Sequence, residues 1–378
     1  MPDERRGAAR KLVAMTADQL ISFARGAPSL DIIDVKGLAA AAQRAFDADP
    51  AGMTAYGTSV GYLPLRQWIA DKHGVAPEQV IVTNGSLQAD AFLFNHLVAA
   101  GDDVVVENPT YDRTLLSLQN LGAKVHQVTI QPDGVDVDEL RGLLEAGQRP
   151  KLAHIIPNYQ NPAGVTLSEA KRRELLALAT QHGFVIFEDD PYVDIRFRGE
   201  ALPSMLSMDT DNVVVHASSF TKTVCPGVRV GYLVGPAALI DAIAKKATNL
   251  YISPGMVSEA IVHQFCISGD IDRSIATVTK ALGERARVLA EAIRRHIPGA
   301  VFTEPDGGYF LWVDLPDFVD VHKLFPVAMK KGVAIVKGTD FRLDGGRSSV
   351  RLAFSAVTVD QIDEGVRRLA EAIEEIRP

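Results

Sequence analysis

The stretch NVVVHASSFTKTVCPGVRVGYLV, residues Asn212–Val234, places a single lysine between two apolar runs. These runs, Asn212–Ala217 and Val228–Val234, are rich in β-branched residues, which is typical of strands covered on both faces. Hydroxyl side chains precede Lys222, and Arg229 follows in a Pro-Gly turn. An exposed lysine is usually only a solvated charge. Beside other cations, however, its pKa falls and it becomes a nucleophile, and the same surroundings suit a bound anion.

Five further apolar runs precede this segment, and most of them are separated by helical patterns. The runs are Gln79–Thr83, Asp103–Glu107, Lys124–Ile130, Lys151–Pro157 and Phe184–Glu188. Repeated strand–helix units predict an α/β fold, with a mostly parallel seven-stranded sheet covered by helices on both faces. The clearest helix begins in the capping-box pattern Thr166-Leu167-Ser168-Glu169 and ends at Gly183.

The pattern changes after about residue 275. A long charged helix, Ile275–His296, precedes several short elements, and a last helix begins at Thr358 with Gln361 as its capping partner. The short elements are strands at Tyr309–Leu315, Val333–Lys337 and Ser349–Ser355 and a helix at Val321–Lys331. The first fifty residues lack a strong strand signal and are predicted to form an arm and one helix. We therefore expect an N-terminal segment, 1–48, that packs with the small domain, a large domain, 49–275, and a small α+β domain, 276–378.

Composition excludes several classes of function. The chain has 39 Lys and Arg against 47 Asp and Glu, a net charge of −8, which argues against nucleic-acid binding. Cys225 and Cys266 lack the spacing of a metal site or a disulfide framework, so we expect no metal. Residues 1–20 have no apolar segment typical of a secretion signal, and no apolar run reaches the roughly 18 residues of a membrane span. We expect a cytoplasmic protein that does not bind membranes.

Three other segments follow predicted strands, at the sheet edge where open α/β proteins bind ligands. Phe187–Tyr192 contains three consecutive acids, which repel one another unless a cation lies nearby. Pro157–Gly164 contains an Asn-Pro pair, which alone indicates a turn. Thr83–Ala89 enters a helix through small residues, which leave backbone N–H groups free to bind phosphate. Each signal is weak alone, since turns and helix caps also give such patterns.

Taken together, the chain resembles pyridoxal-phosphate (PLP) aminotransferases of class I/II, with the aspartate-aminotransferase fold (fold type I). It is most similar to the branch of α-aminoadipate and kynurenine aminotransferases and of the aminotransferase-like half of MocR-type regulators. The resemblance runs from about Ser22 to the C-terminus, in family order and spacing. It rests on Tyr56…Gly61…Leu65-Arg66, Gly85-Ser86, Asn161-Pro162-Ala163-Gly164, Asp189-Asp190-Pro191-Tyr192, Ser219…Lys222…Arg229 and Arg351-Leu352-Ala353-Phe354-Ser355.

The resemblance implies pyridoxal 5′-phosphate as cofactor and assigns three catalytic residues. Lys222 resembles the lysine that binds the cofactor as a Schiff base and then moves the substrate proton. Asp189, rather than Asp190, resembles the carboxylate that keeps the pyridine nitrogen protonated, so that the ring withdraws electrons. Tyr192 and Asn161 resemble the hydrogen-bond pair on the cofactor's 3′ oxygen.

Further cofactor contacts are implied in the same way. The expected phosphate-binding residues are Gly85, Ser86, Leu87, Gln88, Ser219 and Arg229. Tyr111 resembles the aromatic residue that stacks on the ring, although a packed loop tyrosine is the alternative. Tyr56 resembles a tyrosine that reaches the phosphate of the neighbouring subunit, which implies a homodimer with shared active sites.

The substrate side is less determined. Arg351 resembles the arginine that binds the substrate α-carboxylate in a bidentate manner, next to Asn161. Arg25 lies in an N-terminal segment that often lines the pocket in this branch, and a pocket role and an ordinary loop role remain equally open.

The implied function is transfer of the α-amino group between an L-amino acid and a 2-oxo acid by a ping-pong mechanism. Another PLP reaction, by a lyase, decarboxylase, racemase or oxidative deaminase, is the alternative, because the fold hosts all of these. A non-catalytic effector-binding regulator is a third possibility. It is disfavoured because only about twenty residues precede Ser22, and the charge is negative.

Overall fold

The computed structural model describes residues 20–378. Most of the predicted N-terminal arm, and the segment inspected for a secretion signal, lie outside the described residues. Within the described part, the strand β1, Ile21–Ser22, pairs in parallel with β11, Val333–Ala334. This strand was not predicted from the sequence, because a two-residue strand shows no hydrophobic periodicity and its partner lies far along the chain.

The large sheet has eight strands in the order β2-β9-β8-β7-β6-β3-β4-β5. Their bounds are β2 Val80–Thr83, β3 Asp103–Asn108, β4 Lys124–Gln131, β5 Gly134–Val135, β6 Leu152–Ile155, β7 Val185–Asp189, β8 Val214–Ser219 and β9 Gly231–Val234. Strand β9 runs antiparallel to both of its neighbours, β5 runs antiparallel to β4, and the pairs between β8 and β4 are parallel. The predicted α/β class and mostly parallel sheet are confirmed, and the additional strand is the two-residue β5.

Helices cover both faces of this sheet, because successive strand side chains enter opposite cores. Val105 and Ile186 lie in one hydrophobic cluster, whereas Val106 and Phe187 lie in the other. The α-helices between Val35 and Ile267 are α1 Val35–Ala48, α2 Pro50–Thr54, α3 Leu63–His73, α4 Ser86–Leu97, α5 Asp112–Asn120, α6 Val137–Glu145, α7 Glu169–His182, α8 Met205–Met208, α9 Ala237–Tyr251 and α10 Met256–Ile267.

Helix α7 ends at Gly183 as predicted, but its beginning differs from the expectation. The cap is Ser168, whose side chain accepts a hydrogen bond from the Lys171 backbone N–H, and not Thr166. A serine side chain is well placed to accept a hydrogen bond from the free backbone N–H three residues later. Ser168 therefore marks the beginning of the first helical turn.

The C-terminal part is built on the three-stranded antiparallel sheet β10-β13-β12. Its elements are α11 Asp270–His296, β10 Phe310–Asp314, α12 Val321–Lys330, β12 Val336–Lys337, β13 Ser349–Ala353 and α13 Val359–Glu375. Gln361 caps α13 by accepting a hydrogen bond from the Thr358 N–H at 3.1 Å, as predicted.

Helix α11 begins before the predicted Ile275, directly after Gly269, whose φ of 77° is left-handed. Asp270 and Asp272 then occupy the first turn, where negative charge is favourable. Because α11 crosses residue 275, the predicted division between the two domains stays a prediction. Phe23 shares a core with helices α11 and α13, so the N-terminal segment packs against C-terminal elements.

Candidate active site

A cavity of about 460 Å³ lies where the central strands of the large sheet end. Its walls come from segments that follow β2, β3, β6, β7 and β8 and from the C-terminal sheet. Most of the predicted site residues line it: Ser86, Leu87, Tyr111, Asn161, Asp189, Tyr192, Ser219, Lys222, Arg229 and Arg351. Parallel strands bring these distant residues together, since their carboxyl ends meet at one edge.

Lys222 is the amine of this cavity. Its Nζ donates a hydrogen bond to the Gly26 backbone oxygen at 2.7 Å and lies 5.5 Å from the ring centre of Tyr192. The Tyr309 hydroxyl donates to the Lys222 backbone oxygen at 2.7 Å, which fixes the loop behind the side chain. Burial, and then the positive charge of Arg351, lower the Lys222 pKa to about 8, and the negative charge of Asp189 opposes both. The amine is thus close to its reactive neutral form at physiological pH.

Asp189 is the last residue of β7 and is only 5% exposed. Its Oδ2 lies 3.4 Å from His154 Nε2, whereas its Oδ1 is buried and has no hydrogen-bond partner within residues 20–378. Asp190 faces away from the cavity, and its carboxylate accepts a hydrogen bond from Asn158 Nδ2 at 2.7 Å. Of these two neighbouring acids, Asp189 lines the cavity and Asp190 does not.

An anion site lies at the N-terminus of α4. Arg229 has a left-handed backbone and packs so closely on Gly85 that a Cβ there would lie 2.1 Å from its Nη2. A Cβ on Gly231 would come within 2.5 Å of the Ser86 backbone nitrogen, so glycines leave that N–H accessible. The Ser219 hydroxyl completes the group by donating to Thr221 Oγ1 at 2.8 Å. A guanidinium, hydroxyls and free helical N–H groups together suit a phosphate.

Arg351 approaches the cavity from β13. Its guanidinium donates to Asn161 Oδ1 at 2.9 Å and to the Ala24 backbone oxygen at 3.0 Å, and it lies 4.3 Å from the Phe310 ring centre. Its Nε is buried without a partner among the residues that the structure describes. Arg351 is thus a fixed, nearly buried cation, which suits a carboxylate that enters the cavity.

Two tyrosines flank the amine and the carboxylate. Tyr192 is 4% exposed, and burial raises the pKa of its phenol well above the usual value. Burial, followed by the charge of Asp112, raises the pKa of Tyr111 to about 12. Both phenols therefore stay protonated and can donate hydrogen bonds, and Tyr111 supplies a ring on the cavity wall.

Four predicted residues do not line the cavity. Gln88 is turned back, since its Oε1 accepts a hydrogen bond from the Asn84 N–H at 2.8 Å, and Gly85 lies behind Arg229. Tyr56 is 88% exposed on the surface. Arg25 is exposed and lines a separate groove with Cys225. A role for Gln88, Tyr56 or Arg25 therefore needs a partner beyond the chain itself or a rearrangement.

The sequence analysis missed several cavity residues. Phe310 and Val336 come from the C-terminal sheet, and Arg113 lies at the rim with a side chain 58% exposed. His154, behind Asp189, carried a usable signal, because it is a polar residue inside the buried strand KLAHIIP. Phe310, Val336 and Arg113 gave no comparable signal, since aromatic, β-branched and surface cationic residues are common anywhere.

Known proteins share this architecture. The family model for aminotransferase class I and II matches residues 18–369. The chain belongs to this family. It is 30% identical to aromatic-amino-acid aminotransferase 1 of Thermococcus litoralis over 96% of this chain and 90% of that protein. It is 32% identical to 2-aminoadipate transaminase of Thermus thermophilus, over 96% and 93%.

A solved structure extends the likeness to three dimensions. The kynurenine aminotransferase of Pyrococcus horikoshii, in complex with PMP, superposes with a TM-score of 0.91 at 30% identity, covering 98% of this chain and 94% of that one. The protein is a pyridoxal-phosphate-dependent transaminase of the aspartate-aminotransferase fold, as predicted.

The cavity fits this cofactor on its own chemistry. The orphaned Asp189 Oδ1 offers an acceptor for a ring N–H, and the glycine-lined anion site offers donors for a phosphate. Lys222 offers an amine between them. Among the described residues no cluster of His, Cys, Asp or Glu could hold a metal ion, and no helix is long and apolar enough to cross a membrane.

Proposed function

We propose that Lys222 is the catalytic amine of an L-amino acid:2-oxo acid transaminase. The observation that carries this proposal is its Nζ, which shares one cavity with the Asp189 carboxylate and the Arg351 guanidinium. Asp189 would serve the cofactor ring, Lys222 the reacting carbon and Arg351 the substrate carboxylate. Pyridoxal phosphate supplies, when bound, the aldehyde that accepts the amino group and the ring that stabilises negative charge on carbon.

The residues of the chain hold the reactants and move the proton. Asp189 would accept the ring N–H, Tyr192 and Asn161 would donate to the ring oxygen, and Tyr111 would pack on the ring face. Ser86, Ser219 and Arg229, with the N–H groups of Ser86 and Leu87, would bind the phosphate. Lys222 Nζ would take the proton from the substrate α-carbon. The same steps run in reverse with a 2-oxo acid, which makes the reaction ping-pong.

The substrate side chain would face the apolar wall formed by Phe310, Val336 and Tyr111. That wall, and relatives named for aromatic amino acids and 2-aminoadipate, support amino acids with long or aromatic side chains as donors. The unpaired thiols of Cys225 and Cys266 suit a reducing compartment, which supports a cytoplasmic location.

The two half-reactions test this function separately. We expect the absorbance of the bound cofactor to change when the holoenzyme receives a donor amino acid without an acceptor, and to return when a 2-oxo acid is added. Stoichiometric 2-oxo acid should form in the first step. Release of carbon dioxide or ammonia, or loss of stereochemistry without amino transfer, would instead identify one of the other PLP reactions.

Arg351→Lys is expected to raise KM and lower kcat for every amino acid alike, with kcat/KM reduced about 100-fold. The reason is that lysine cannot present the two parallel donors that a carboxylate accepts. Arg25→Ala and Arg113→Ala serve as matched variants, since both lie outside the carboxylate pocket. We expect each to change at most the ranking among substrates. A kinetic panel of acidic, aromatic and aliphatic amino acids distinguishes these outcomes, and a change of ranking by Arg351→Lys alone would contradict the assignment.

We further propose that the enzyme is a homodimer in which Tyr56 enters the partner's site. Its phenol is 88% exposed here, and Leu63 and Leu250 are other large exposed apolar side chains. Lys222→Ala and Tyr56→Ala should each be nearly inactive at low cofactor concentration. When the two variants are mixed, half of the dimers are hybrid and each hybrid has one intact site, so roughly a quarter of the activity should return. No recovery after proven subunit exchange, or a fully active monomer in sedimentation, would contradict a shared site.

A further inference from the structure

A second carboxyl group lies behind Asp189, on helix α4. Phe94 of that helix packs edge-on against Phe187 of β7, with ring centres 5.7 Å apart. Asp90 precedes Phe94 by one helical turn on the same face, and Asp189 follows Phe187 on the same face of its strand. Because the two rings touch, the Asp90 and Asp189 side chains next to them are also brought side by side. The pair lies at the end of the cavity that would receive the pyridine nitrogen.

Asp90 is as buried as a core leucine, but the hydrogen-bonding capacity of its carboxyl group is not fully used. It is 2% exposed, and its Oδ1 has no hydrogen-bond partner in the part of the chain that the structure describes. The charged or titratable groups around the Asp90–Asp189 pair are Tyr111, Tyr192, Glu107, His154 and Lys222. His154 Nε2 lies 3.4 Å from Asp189 Oδ2, and Lys222 lines the cavity together with Asp189. Burial, and then the charge of Asp189, raise the pKa of Asp90 well above its ordinary value.

A purely structural role does not account for this residue. It interrupts the apolar run of ADAFLF, where an aliphatic side chain would fill the same space without an unsatisfied oxygen. Two neighbouring carboxyl groups whose surroundings favour opposite protonation states are the usual arrangement of an acid and an anion in one site. Asp189 lines the cavity and has His154 beside it, and Asp90 lies behind it as the acid.

We propose that Asp90 stores the proton that an unprotonated pyridine nitrogen acquires when the cofactor binds, and that it delivers this proton by way of the Asp189 carboxylate. The O–H bond of Asp90 breaks, an N–H bond forms at the ring nitrogen, and Asp90 is left as a carboxylate. The new positive charge on the ring stabilises both carboxylates, and no proton is needed from solution. The inference rests on the proposed role of Asp189. Asp90 acts through Asp189 and is a positioning residue for this proton.

Glu107 is the nearest rival and provides the control. It is also fully buried, and burial raises its pKa to about 8. Its carboxylate is occupied, however, because it accepts hydrogen bonds from the Ile156 N–H at 3.1 Å and from Gln160 Nε2 at 3.0 Å. It therefore joins strand β3 to the segment that follows β6, and it does not line the cavity.

Proton uptake during cofactor binding tests the proposal without turnover. Apoenzyme is titrated calorimetrically with pyridoxamine phosphate, which has no aldehyde to react with Lys222. The titrations use several buffers of one pH, above the pKa of the free ring nitrogen, that differ in ionisation enthalpy. Wild type, Asp90→Asn and Glu107→Gln are compared, so the protonation changes of the ligand's other groups cancel. We expect Asp90→Asn to take up about one more proton per site than wild type, and Glu107→Gln to match wild type.

A second measurement does not depend on the stability of the variants. With aspartate labelled by carbon-13 at the carboxyl group, the Asp90 resonance should report a protonated group in the apoenzyme and an ionised group in the complex. Equal proton counts for wild type and Asp90→Asn, a resonance that does not change on binding, or an altered count for Glu107→Gln instead would each overturn the proposal. Tight binding to Asp189→Asn would instead contradict the underlying role of Asp189.

Discussion

Lys222→Ala is expected to lower kcat by at least about 10⁴-fold, the upper end of what one acid–base group contributes. The loss is large because the same amine is proposed both to hold the cofactor and to move the substrate proton. Alanine removes this amine from the cavity and leaves Ser86, Ser219 and Arg229, the proposed phosphate site, in place. We therefore expect the variant to retain cofactor non-covalently. Borohydride reduction of the wild-type holoenzyme, followed by peptide mapping, should label Lys222, and a label on another lysine would contradict the assignment.

The lowered pKa of Lys222 gives this prediction a pH signature. The neutral amine is the reactive form, and its fraction grows as the pH rises toward the pKa. Attachment of the cofactor to the apoenzyme should therefore accelerate with pH and level off above about 8, rather than near the ordinary value of 10.5. Arg351→Gln removes a positive charge that lowers this pKa, so the plateau should move to higher pH. A plateau that stays in place would show that burial alone sets the reactivity.

Local sequence patterns were sufficient to predict most of the secondary structure. The seven predicted strands are all present, because continuous β-branched runs such as Asn212–Ala217 are distinctive for buried strands. The cap formed by Thr358 and Gln361 is equally local. Strands β1 and β5 were missed because two residues carry no periodicity. Their pairing is decided by the tertiary structure, as in Ile21 opposite Val333.

The site residues also divide into those that the sequence predicts and those whose contacts depend on the folded chain. Lys222 and Asp189 could be placed at one sheet edge because each lies at or just beyond the end of a recognisable strand, and the resemblance to aminotransferases supplied their expected roles. The Gly26 carbonyl that binds Lys222 lies 196 residues away, and no sequence pattern encodes that contact. Gln88 does not line the cavity, because its side-chain oxygen accepts a hydrogen bond from the Asn84 N–H at the beginning of α4, and its phosphate contact stays a prediction. Tyr56 gives no signal in a single chain, because its proposed contact needs a second subunit.

Asp189→Asn is expected to lower kcat about 10³-fold, whereas Asp190→Asn should change it less than about tenfold. The two residues are neighbours with nearly equal burial, so the comparison separates charge at the ring from general disruption of the strand. Asp189 lines the cavity and has an unpartnered oxygen, and an amide there would face the ring nitrogen without a negative charge to keep it protonated. Asp190 instead accepts a hydrogen bond from Asn158, and burial raises its pKa to about 7, so a neutral amide oxygen can replace it.

The charge of Asp189 can also be followed without turnover. The affinity for pyridoxamine phosphate should fall in Asp189→Asn and become strongly dependent on pH, because the free ring loses its proton as the pH rises and no carboxylate restores it. Wild type and Asp190→Asn should bind with similar affinity across the same range. Single-turnover rates with one donor amino acid then separate chemistry from product release. A larger loss for Asp190→Asn than for Asp189→Asn, in both affinity and single-turnover rate, would reverse the roles of the two acids and move the ring nitrogen to the other face of β7.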